Sequence, residues 1–533
     1  MAAATMPSAR THRFAAIAVA LLLLVTMVAL SRDFGFTWDE RFQQHYGEQL
    51  WQYVHGDLPR STFDTDEGNQ YLYGGLVELV AVSAQHAVHA DTYVVRHAVN
   101  AVFGWAGIVI AGLAAGRAFG RRAGWLAAVL LTLAPRYVGD AMNNPKDVPF
   151  AAMAMAVLGI TLTLDWTRPR LSWSRAALLA TAIALSINIR PLGLVLLLYA
   201  AGVIGLGSLL AAAFTSDEQR WPRFGRNVLM LVVVGLLAVP AGTLVWPYAQ
   251  AQPFVRPLTA FITTTQLDWA QGFDVLFAGQ NLGAGSLPST YVPTWLVMAL
   301  PPVVLAGFAL SWLVMRRGLQ QAVAWAGLLA FASVPVVAAI VRHATIYDGI
   351  RHLLFVVPPM VVLAAAGWSA LLETRARVIG VLLLTLGLAE PLLFQLRNHP
   401  NQIIYFTPLM GGPQAAFARY DMDYWGNSVL QAVAWTDRLA RESGVPLVVS
   451  GNPIQAVDAN AARFKTLQVV ARANLVYHLD IRLMRGPSES LREFAARPDI
   501  LYAVRMADGT PLCVVLPGPA FLSVSDRLKL QPR

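Results

Sequence analysis

The feature that most constrains this chain is a series of apolar runs, each about as long as a lipid bilayer is thick. A helix needs roughly 20 apolar residues to cross the hydrocarbon core, and runs of this length recur between residues 14 and 397. The 533-residue chain is 56% hydrophobic and only 13% charged, which is about half the charge of a typical soluble protein. We therefore predict a polytopic α-helical membrane protein.

The lengths of the apolar runs and the positions of arginine between them predict about eleven membrane spans. The predicted spans are residues 14–31, 94–116, 124–140, 148–165, 175–190, 191–213, 227–247, 292–315, 321–341, 352–372 and 378–397. Arginine is concentrated before the first span and after the even-numbered spans. Since cytoplasmic segments are rich in Lys and Arg, four segments are predicted outside the cytoplasm: residues 32–93, 141–147, 248–291 and 342–351.

The predicted orientation of the spans depends on how two stretches of the chain are interpreted. Residues 14–30 follow Arg10 and Arg13 and have the form of a cleaved signal peptide or an uncleaved signal anchor. We favour the anchor, because many spans follow and no Ala-x-Ala cleavage site follows the apolar run. Residues 71–90 contain one Glu and two His, and counting them as a span would invert every later loop. We therefore predict a helix at or partly in the membrane surface.

The last part of the chain has a different pattern. Residues 428–443 are charged and predict a helix, while the short apolar runs 445–449 and 512–516 predict strands. We predict two domains, a membrane domain over residues 1–397 and a small extracytoplasmic α/β domain over residues 398–533. Internal repeats are absent from the sequence, so an inverted-repeat transporter gains no support.

Charge, cysteine and motif content exclude several classes of protein. The formal net charge is +9, but most arginine lies in short loops between apolar runs, which indicates membrane topology and not nucleic-acid binding. The only cysteine is Cys513, so neither an intramolecular disulfide nor a cysteine-based metal site is available. The sequence has no Walker, His-Glu-x-x-His or Gly-x-Ser-x-Gly motif, and therefore no motif of a nucleotide-driven pump or of those hydrolases.

An acidic pair, Asp39 and Glu40, follows the first predicted span. A carboxylate beside the membrane can accept a proton from a hydroxyl group while a lipid-carried donor stays in the bilayer. The alternative is a pair of solvated loop residues without a chemical role. Other polar residues on the same predicted side of the membrane favour the chemical interpretation.

The second predicted outer turn is unusually polar for a turn between two apolar runs. Proline at positions 145 and 149 interrupts the helix there. The polar residues of this turn are Asp140, Asn143, Asn144, Lys146 and Asp147. The pattern indicates either a second group of site residues or a solvated connector.

Two basic groups lie on the predicted outer side, where arginine is otherwise rare. Arg190 stands alone between spans five and six, and Arg351 and His352 follow Asp348 before span ten. Guanidinium groups can bind phosphate oxygens in a bidentate manner, so we interpret both groups as sites for a lipid phosphate. The alternatives are snorkelling of Arg190 to the headgroups and a headgroup-facing charge patch for the second group.

Two further positions stand out among the apolar runs. The outer loop 248–291 combines aromatic and amide side chains and ends at Tyr291, which suits sugar binding and also suits an aromatic belt at the membrane interface. Glu390 lies within the last predicted span, where an ionisable group is costly and usually faces the protein interior. We predict that Glu390 pairs with another residue of the chain.

Together these motifs resemble the GT-C superfamily of membrane glycosyltransferases. The resemblance is to the protein O-mannosyltransferase-like group (glycosyltransferase family 39) and its lipid A aminoarabinose transferase relatives. It covers residues from about 14 to 430 and rests on the order and common side of its motifs. The similar segments are residues 38–40, 144–150, 189–193, 348–355, 399–406, 411–412 and 423–426.

The resemblance implies a GT-C-like fold and a sugar donor carried on a polyprenyl phosphate. A hydroxyl group of a glycan, lipid or protein acceptor attacks the anomeric carbon, and the lipid phosphate leaves. The implied catalytic residues are Asp39 as general base, Glu40 as its assistant or an acceptor ligand, and Asp147 as a second acid. The implied phosphate ligands are Lys146, Arg190, Arg351 and His352, and the implied substrate contacts are Asp140, Asn144, Asp348 and Tyr291.

Members of this superfamily work either without a metal or with a divalent cation near the second acidic loop. Asp147 is the candidate ligand for such a cation, and no other cofactor is expected. Asn143 and Asn144 stand where some relatives carry Asp. This departure weakens the case for a metal more than the case for catalysis.

Two other classes of protein are alternatives to a transferase. A transporter or flippase for a lipid-linked or anionic solute predicts charged residues deep within several spans. A non-catalytic envelope assembly or sensor protein predicts that replacing Asp39 leaves activity intact. The basic, Ala- and Arg-rich composition is typical of a bacterium, so we predict an integral protein of the inner membrane with its site and C-terminal domain on the periplasmic side.

Overall fold

A computed structural model describes residues 9–66 and 68–528, with side chains described from Phe14 onward. The side chains of Arg10 and Arg13, which support the predicted orientation, lie outside the described residues. The described part is mainly helical and has a small sheet near the C-terminus. This confirms the predicted fold class of a polytopic helical membrane protein.

The helices and strands follow one another along the whole described chain. The α-helices are α1 Ala9–Ser31, α2 Trp38–His55, α3 Leu76–Val88, α4 Thr92–Phe119, α5 Arg121–Thr132, α6 Pro135–Asn143, α7 Asp147–Leu162, α8 Trp173–Ile187, α9 Gly193–Phe214, α10 Arg220–Ala241, α11 Pro247–Gln250, α12 Arg256–Gln266, α13 Tyr291–Ala299, α14 Pro302–Leu310, α15 Leu319–Val341, α16 Val357–Leu371, α17 Arg377–Asn398, α18 Gly412–Ala416, α19 Val429–Ser443, α20 Ile454–Ala461, α21 Ser488–Ala495 and α22 Ser525–Leu528. The strands are β1 Asp274–Phe277, β2 Gln280–Gly283, β3 Leu447–Asn452, β4 Leu467–Val469, β5 Leu479–Leu483, β6 Tyr502–Arg505 and β7 Pro511–Pro517. Short 3₁₀ helices at Gln70–Leu72 and Arg351–Val356 also contribute to the site described below.

Seven helical segments are long and apolar enough to cross a membrane. They are Phe14–Ser31 of α1, α4, α9, α10, α15, Arg351–Leu371 around α16, and α17. Two bent pairs, α6 with α7 and α13 with the segment Pro302–Arg317, raise the number to nine if each pair is one broken span. The described residues thus contain seven to nine candidate spans, and the total of eleven stays a prediction.

Residues 121–162 depart from the predicted spans 124–140 and 148–165, because they form three helices. Pro135 begins α6, since proline fits the first turn of a helix. Pro145 lies in the break between α6 and α7, where the chain bends by 116°. The polar residues of this turn consequently lie at a sharp bend, and not in a simple connection between two parallel spans.

Residues 71–90 do not form a full span, as predicted. Their helix α3 has 13 residues and is therefore about 20 Å long, against roughly 30 Å for the hydrocarbon core. It packs against α2 and α4. Its buried Glu78 forms an ion pair with Arg96 of α4, so this apolar helix also carries a charge that only a protein partner can compensate.

Helix α16 lies at the centre of the helical bundle. Its residues from Val357 to Ala370 are all buried, and it packs against α4, α5, α14 and α15. An apolar helix of this kind faces other helices on every side. Because Arg351 and His352 come just before α16, they are held at the end of the central helix.

The sheet near the C-terminus has the strand order β4-β3-β5-β7-β6. Strand β3 is parallel to β4 and β5, while β7 is antiparallel to β5 and β6. Helix α19 packs against several of these strands. These elements confirm the predicted helix and both predicted strands, while the domain boundary between residues 397 and 398 stays a prediction.

The glutamate in the last predicted span has a partner, as predicted. Glu390 of α17 accepts a hydrogen bond from the Tyr405 hydroxyl group at 3.0 Å. The carbonyl oxygen of Tyr405 accepts a bond from Nε of the buried Arg136 at 2.9 Å. These bonds attach α17 and α6 to the chain that follows the bundle.

The connections at one end of the bundle form a common layer with the C-terminal residues. We call it the cap layer and define it as residues 32–66, 68–91, 247–291, 342–350 and 399–528. Asn427 Oδ1 accepts the backbone N–H of Gly35 at 3.0 Å, and Arg256 donates to Asp64 at 2.6 Å. Loops that the sequence places on one side of the membrane therefore meet in space, and the side that they face stays a prediction.

We predict that Arg96→Met strongly destabilises the protein. Arg96 pairs with Glu78 and lies 4.0 Å from Glu40, and all three side chains are buried. Removing one member of a buried ion pair costs about 3–5 kcal/mol, because the remaining charge is left without compensation.

Thermal unfolding in detergent measures this effect. Arg117→Met is the matched control, since Arg117 lies on the same helix with an exposed side chain. Equal melting temperatures for the two variants would contradict the structural role of Arg96.

Candidate active site

Asp39 and Glu40 lie side by side in the first turn of α2 but have different surroundings. The backbone N–H and the hydroxyl group of Thr37 donate to Oε2 of Glu40 at 2.8 and 3.1 Å, as in a capping box. The side chain of Asp39 is 31% exposed, whereas that of Glu40 has no exposed surface. Only Asp39 is therefore accessible to a substrate.

Glu40 belongs to a buried network between α2 and α4. His97 Nε2 lies 3.0 Å from Oε1 of Glu40, and Arg96 Nε lies 4.0 Å from the same oxygen. Contacts on both oxygens hold the carboxylate inside the protein. This geometry gives Glu40 a structural role and leaves its side chain out of reach of an acceptor, although contact with an acceptor is one of the two roles that the resemblance implies for it.

Asp39 is paired with Arg351, which lies before the central helix. Arg351 Nη1 donates to Asp39 Oδ2 at 3.0 Å, and no hydrogen bond from the described residues reaches Oδ1. The guanidinium group lies 4.6 Å from the ring centroid of Tyr347 and 5.2 Å from that of Trp425. Charge interactions are stronger in such a dry position than in water.

Asp348 and Arg485 close a ring around this ion pair. Asp348 Oδ2 lies 3.3 Å from Arg351 Nη2, and Asp348 Oδ1 accepts a bond from Arg485 Nη2 at 3.0 Å. The Arg485 guanidinium lies 4.7 Å from the ring centroid of Trp38, the neighbour of Asp39. We call Trp38, Asp39, Asp348, Arg351 and Arg485 together the charge ring. Burial raises the pKa of the Asp348 carboxyl group, and the two arginines counteract this rise.

A tight turn presents Asp348 to both arginines. Asp348 and Gly349 both have positive φ, at 57° and 71°, a conformation that aspartate and glycine adopt more readily than most residues. The hydroxyl group of Tyr291 accepts the backbone N–H of Gly349 at 3.1 Å. Tyr291 is 2% exposed, so it holds the turn and is not placed to bind a sugar, the role that the resemblance implies for it.

Arg485 was not identified from the sequence. It lies just after β5, which runs parallel to β3, and residues that follow parallel strands often form binding sites. Residues 479–483 alternate apolar and charged side chains, as a half-buried strand does, and a basic residue shortly after them is the only sequence signal of this kind. Its partner Asp348 is 137 positions away, and such pairing is visible only in the folded chain.

The second outer turn forms a second charge group of Asp140, Asn144, Asp147 and Arg190. Arg190 Nη1 forms an ion pair with Asp147 Oδ1. Asn144 Nδ2 donates to Asp147 Oδ2 at 3.0 Å and to Asp140 Oδ1 at 3.1 Å. The structure thus brings four predicted site residues into one hydrogen-bonded group, with both carboxylates buried.

Lys146 is positioned by the connection between α2 and α3. Its ammonium group donates to Gln70 Oε1 and lies 4.0 Å from the ring centroid of Tyr73. Asp66 fixes this connection by accepting the backbone N–H groups of Gln70 and Tyr71 at 2.6 and 2.7 Å. The predicted phosphate ligand is therefore directed by a segment more than 70 residues earlier in the chain.

Charged residues of both groups act on Tyr73. Burial raises the pKa of its hydroxyl group, while Arg190 and Arg351 both lower it. The charge of Asp147, in the second charge group, also acts on Arg351 of the charge ring, so the two groups lie close to each other. The two groups therefore form a single candidate active site.

Two close contacts hold this arrangement together. A Cβ atom at Gly74 would lie 1.8 Å from the carbonyl oxygen of Asn188, so only glycine allows the chain to pass this close to the segment before Arg190. The rings of Phe150 and Phe355 meet edge to face with centroids 5.5 Å apart. This contact joins α7, which begins at Asp147, to the segment that begins at Arg351.

His352 joins this site through an aromatic contact. Its ring meets that of Tyr347 edge to face at 4.7 Å, and no hydrogen bond from the described residues engages it. The structure therefore groups the predicted residues Asp39, Asp140, Asn144, Lys146, Asp147, Arg190, Asp348, Arg351 and His352. Glu40 and Tyr291 are buried and are not part of this group.

Comparison with solved structures identifies the fold. Two structures of ArnT from Cupriavidus metallidurans, one bound to undecaprenyl phosphate and one in the apo state, are similar to 95% of this chain over 98% of their own length. Their TM-scores are both 0.51, and their sequence identities are 16% and 15%. The chain has the fold of these ArnT structures. This confirms the resemblance read from the sequence.

Other comparisons do not identify a fold or a family. The archaeal oligosaccharyltransferase AglB from Archaeoglobus fulgidus has a TM-score of 0.41 and 11% identity over 87% of this chain and 69% of its own, which is too low to establish a shared fold. No protein-family model and no curated protein matches the sequence.

The residues of this candidate site do not fit a divalent cation. Across residues 9–66 and 68–528, no three His, Cys, Asp or Glu side chains lie close enough to hold a metal ion. Asp147, the candidate ligand, already has Arg190 at one oxygen and Asn144 at the other. A metal ion there would lie against the positive charge of the guanidinium group, so this arrangement offers the expected cation no site at Asp147.

Another buried carboxylate lies close to the charge ring. Asp421 Oδ2 accepts the backbone N–H of Leu276 at 3.0 Å, and its own N–H donates to the Leu276 carbonyl oxygen at 3.1 Å. These bonds attach β1 to the chain after the bundle. Burial raises the pKa of Asp421 to about 7, and the charge of Arg485 counteracts this rise.

We predict that Asp421→Asn changes the pH dependence of stability. The folded-state pKa of about 7 exceeds the unfolded value of about 3.9. The stabilisation from the neutral carboxyl group is therefore fully present below about pH 4 and is lost as the pH rises through about 7. Asparagine stays neutral, so the melting temperature of the variant relative to wild type should rise between about pH 5 and about pH 8.5.

Asp57→Asn is the control for this measurement, because Asp57 lies exposed in the same layer. The same difference from wild type at both pH values would contradict the predicted titration of Asp421.

Proposed function

We propose that this protein is a membrane glycosyltransferase that moves a sugar from a polyprenyl-phosphate carrier to a hydroxyl acceptor. The observation that carries the proposal is the partly exposed carboxylate of Asp39, paired with Arg351 beside the cations of Arg190 and Lys146. A proton acceptor and several cations thus lie together in a GT-C fold. ArnT was crystallised with undecaprenyl phosphate, which supports a carrier of the same class here.

Asp39 is the proposed general base. Arg351 binds Oδ2 and fixes the orientation of the carboxylate, and Oδ1 stays free of hydrogen bonds from the described residues. Oδ1 can therefore accept the proton of an acceptor hydroxyl group. A general base in this position contributes about 10²–10⁴-fold to the rate.

Lys146, Arg190, Arg351 and His352 are the proposed ligands of the donor phosphate. The negative charge on the leaving phosphate grows during the reaction, so cations that are already fixed stabilise the transition state more than the ground state. Buried aromatic and carboxylate partners fix Arg351, and Asp147 fixes Arg190. The site therefore needs little reorganisation when the charge develops.

The proposed step is a single displacement at the anomeric carbon. The acceptor oxygen forms a bond to this carbon while the bond from the carbon to the phosphate oxygen breaks. The electron pair of the broken bond stays on the polyprenyl phosphate, and the hydroxyl proton moves to Asp39. Attack from the side opposite the phosphate inverts the configuration of the sugar.

The remaining predicted residues do not contact the substrate and hold the residues of the proposed site in place. Glu40 and Tyr291 fix the start of α2 and the turn at Asp348. Asn144 links Asp140 and Asp147, and this link holds the carboxylate that orients Arg190. These side chains therefore act through Asp39, Arg351 and Arg190.

The proposed setting is the periplasmic face of a bacterial inner membrane. The alternation of arginine between the spans supports this orientation, and the cap layer then faces outward together with the site. The proposed sugar is a hexose or a pentose, and the proposed acceptor is a hydroxyl group of a glycan, lipid or protein.

We predict that Asp39→Asn lowers turnover of the donor by at least 100-fold, the lower end of the effect of a general base. Purified protein in nanodiscs receives a panel of polyprenyl-phosphate sugars with a crude envelope acceptor fraction, and the released polyprenyl phosphate is quantified. Asparagine keeps the size of the side chain but cannot accept the proton.

Asp33→Asn is the matched control, because Asp33 is an exposed acid of the same connection that pairs with His399 at 3.0 Å, outside the charge ring. Equal release by wild type and Asp39→Asn would remove Asp39 as the base. Release by no protein with any donor would favour the transporter or sensor alternatives.

We also predict that turnover survives removal of divalent cations. Arg190 and Asn144 already occupy both carboxylate oxygens of Asp147, so the fixed cations of the chain neutralise the leaving phosphate. Turnover is measured after chelation and again after addition of Mg²⁺, Mn²⁺ or Zn²⁺. Loss of turnover on chelation with recovery on addition of one metal would contradict this prediction.

A further inference from the structure

Arg485 links the C-terminal sheet to the catalytic ion pair, although it comes from a part of the chain without recognised motifs. Its Nη2 donates to Asp348 Oδ1 at 3.0 Å and its Nη1 donates to the Tyr424 carbonyl oxygen at 2.9 Å. Its guanidinium group also lies over Trp38. Arg485 thus contacts both neighbours of the Asp39–Arg351 pair, namely Asp348 and the residue before Asp39.

Acidic and basic side chains alternate in the ring. Arg351 lies between the carboxylates of Asp39 and Asp348, at 3.0 and 3.3 Å. Asp348 in turn lies between the guanidinium groups of Arg351 and Arg485. Because Arg485 partly neutralises the Asp348 carboxylate, the attraction between Asp348 and Arg351 is weaker. Arg485 therefore weakens the competition of Asp348 with Asp39 for the same guanidinium group.

Burial makes this competition strong. The Asp348 side chain is 3% exposed and that of Arg351 is 10% exposed, so water screens their attraction little. Asp39, by contrast, is 31% exposed. Without Arg485, the buried carboxylate of Asp348 is the stronger partner and draws Arg351 away from Asp39.

We propose that Arg485 is a positioning residue that keeps Arg351 on Asp39 by neutralising Asp348. The proposal rests on the proposed function, because it concerns the same base and the same phosphate ligand. It makes the C-terminal sheet a part of the active site and not only a module appended to it. Arg485 does not touch the reacting atoms and acts through Asp348 and Arg351.

A double-mutant cycle tests this order of interactions. Arg485→Gln leaves the charge of Asp348 to Arg351 alone, so both binding of undecaprenyl phosphate and turnover of the donor should fall by about tenfold, within the range of coupling in a charged network. Adding Asp348→Asn removes the competing carboxylate. The double variant should therefore recover a large part of both activities, above the level of Arg485→Gln alone.

Two further variants separate positioning from folding. Arg482→Gln is the matched control, because Arg482 lies in β5 and pairs with Asp480 at 2.8 Å, away from the charge ring; it should bind and turn over like wild type. Arg485→Lys keeps the charge beside Asp348 but not the second hydrogen bond to Tyr424, and should lie between wild type and Arg485→Gln. Melting temperatures of all variants show whether any of them is unfolded.

Each result has a definite meaning. A double variant no better than Arg485→Gln, or an Arg485→Gln variant equal to Arg482→Gln, overturns the positioning role. If wild type binds undecaprenyl phosphate but releases carrier from no donor, the transferase proposal fails, while the binding arm still tests the ring. If wild type does not bind undecaprenyl phosphate, Arg351 is not a phosphate ligand and both proposals fail.

Discussion

Charged groups beside a membrane are stable only when opposite charges or polar groups meet them, because a low-dielectric surrounding makes an isolated charge costly. This constraint governs the end of the bundle where the cap layer lies. Arg96 meets Glu78, Arg190 meets Asp147, and Arg351 meets both Asp39 and Asp348. Each pair joins segments that are distant in sequence. The ion pairs therefore hold the connections between the spans in an arrangement in which each of these charges has a partner of opposite sign.

The same constraint separates supporting charges from reactive ones. A carboxylate with all its oxygens engaged, such as that of Glu40 or Asp147, holds a cation or a helix end in place. A carboxylate with one oxygen engaged and partial exposure, such as that of Asp39, can also take part in chemistry. The position of Arg351 before the buried helix α16 gives this pair a rigid base. Rigid placement of charge lowers the cost of reorganisation during a reaction.

A large part of the site could be read from the sequence. Membrane topology normally concentrates arginine on the cytoplasmic side, so Arg190, Arg351 and the acidic residues near them stood out as exceptions, and the structure brings them together. Tyr291 was expected to contact the substrate and Glu40 to assist the base or bind the acceptor, yet both side chains are buried by packing. Arg485 was missed because it has an ordinary basic neighbourhood and its partner lies in another segment. The division of residues 121–162 into three helices also differed, since hydropathy alone does not show where a broken span bends.

The sequence by itself determined the class of the protein, the helical bundle, the short α3, and the residue types available at one end of the bundle. These features follow from local composition, because a bilayer demands about 20 apolar residues for each span and tolerates few charges within it. Only the tertiary structure decided which carboxylate is free and which is occupied, and which arginine meets which acid. Pairing over more than 130 positions, as between Arg485 and Asp348, depends on how the segments pack in space, and no local pattern in the chain records that packing.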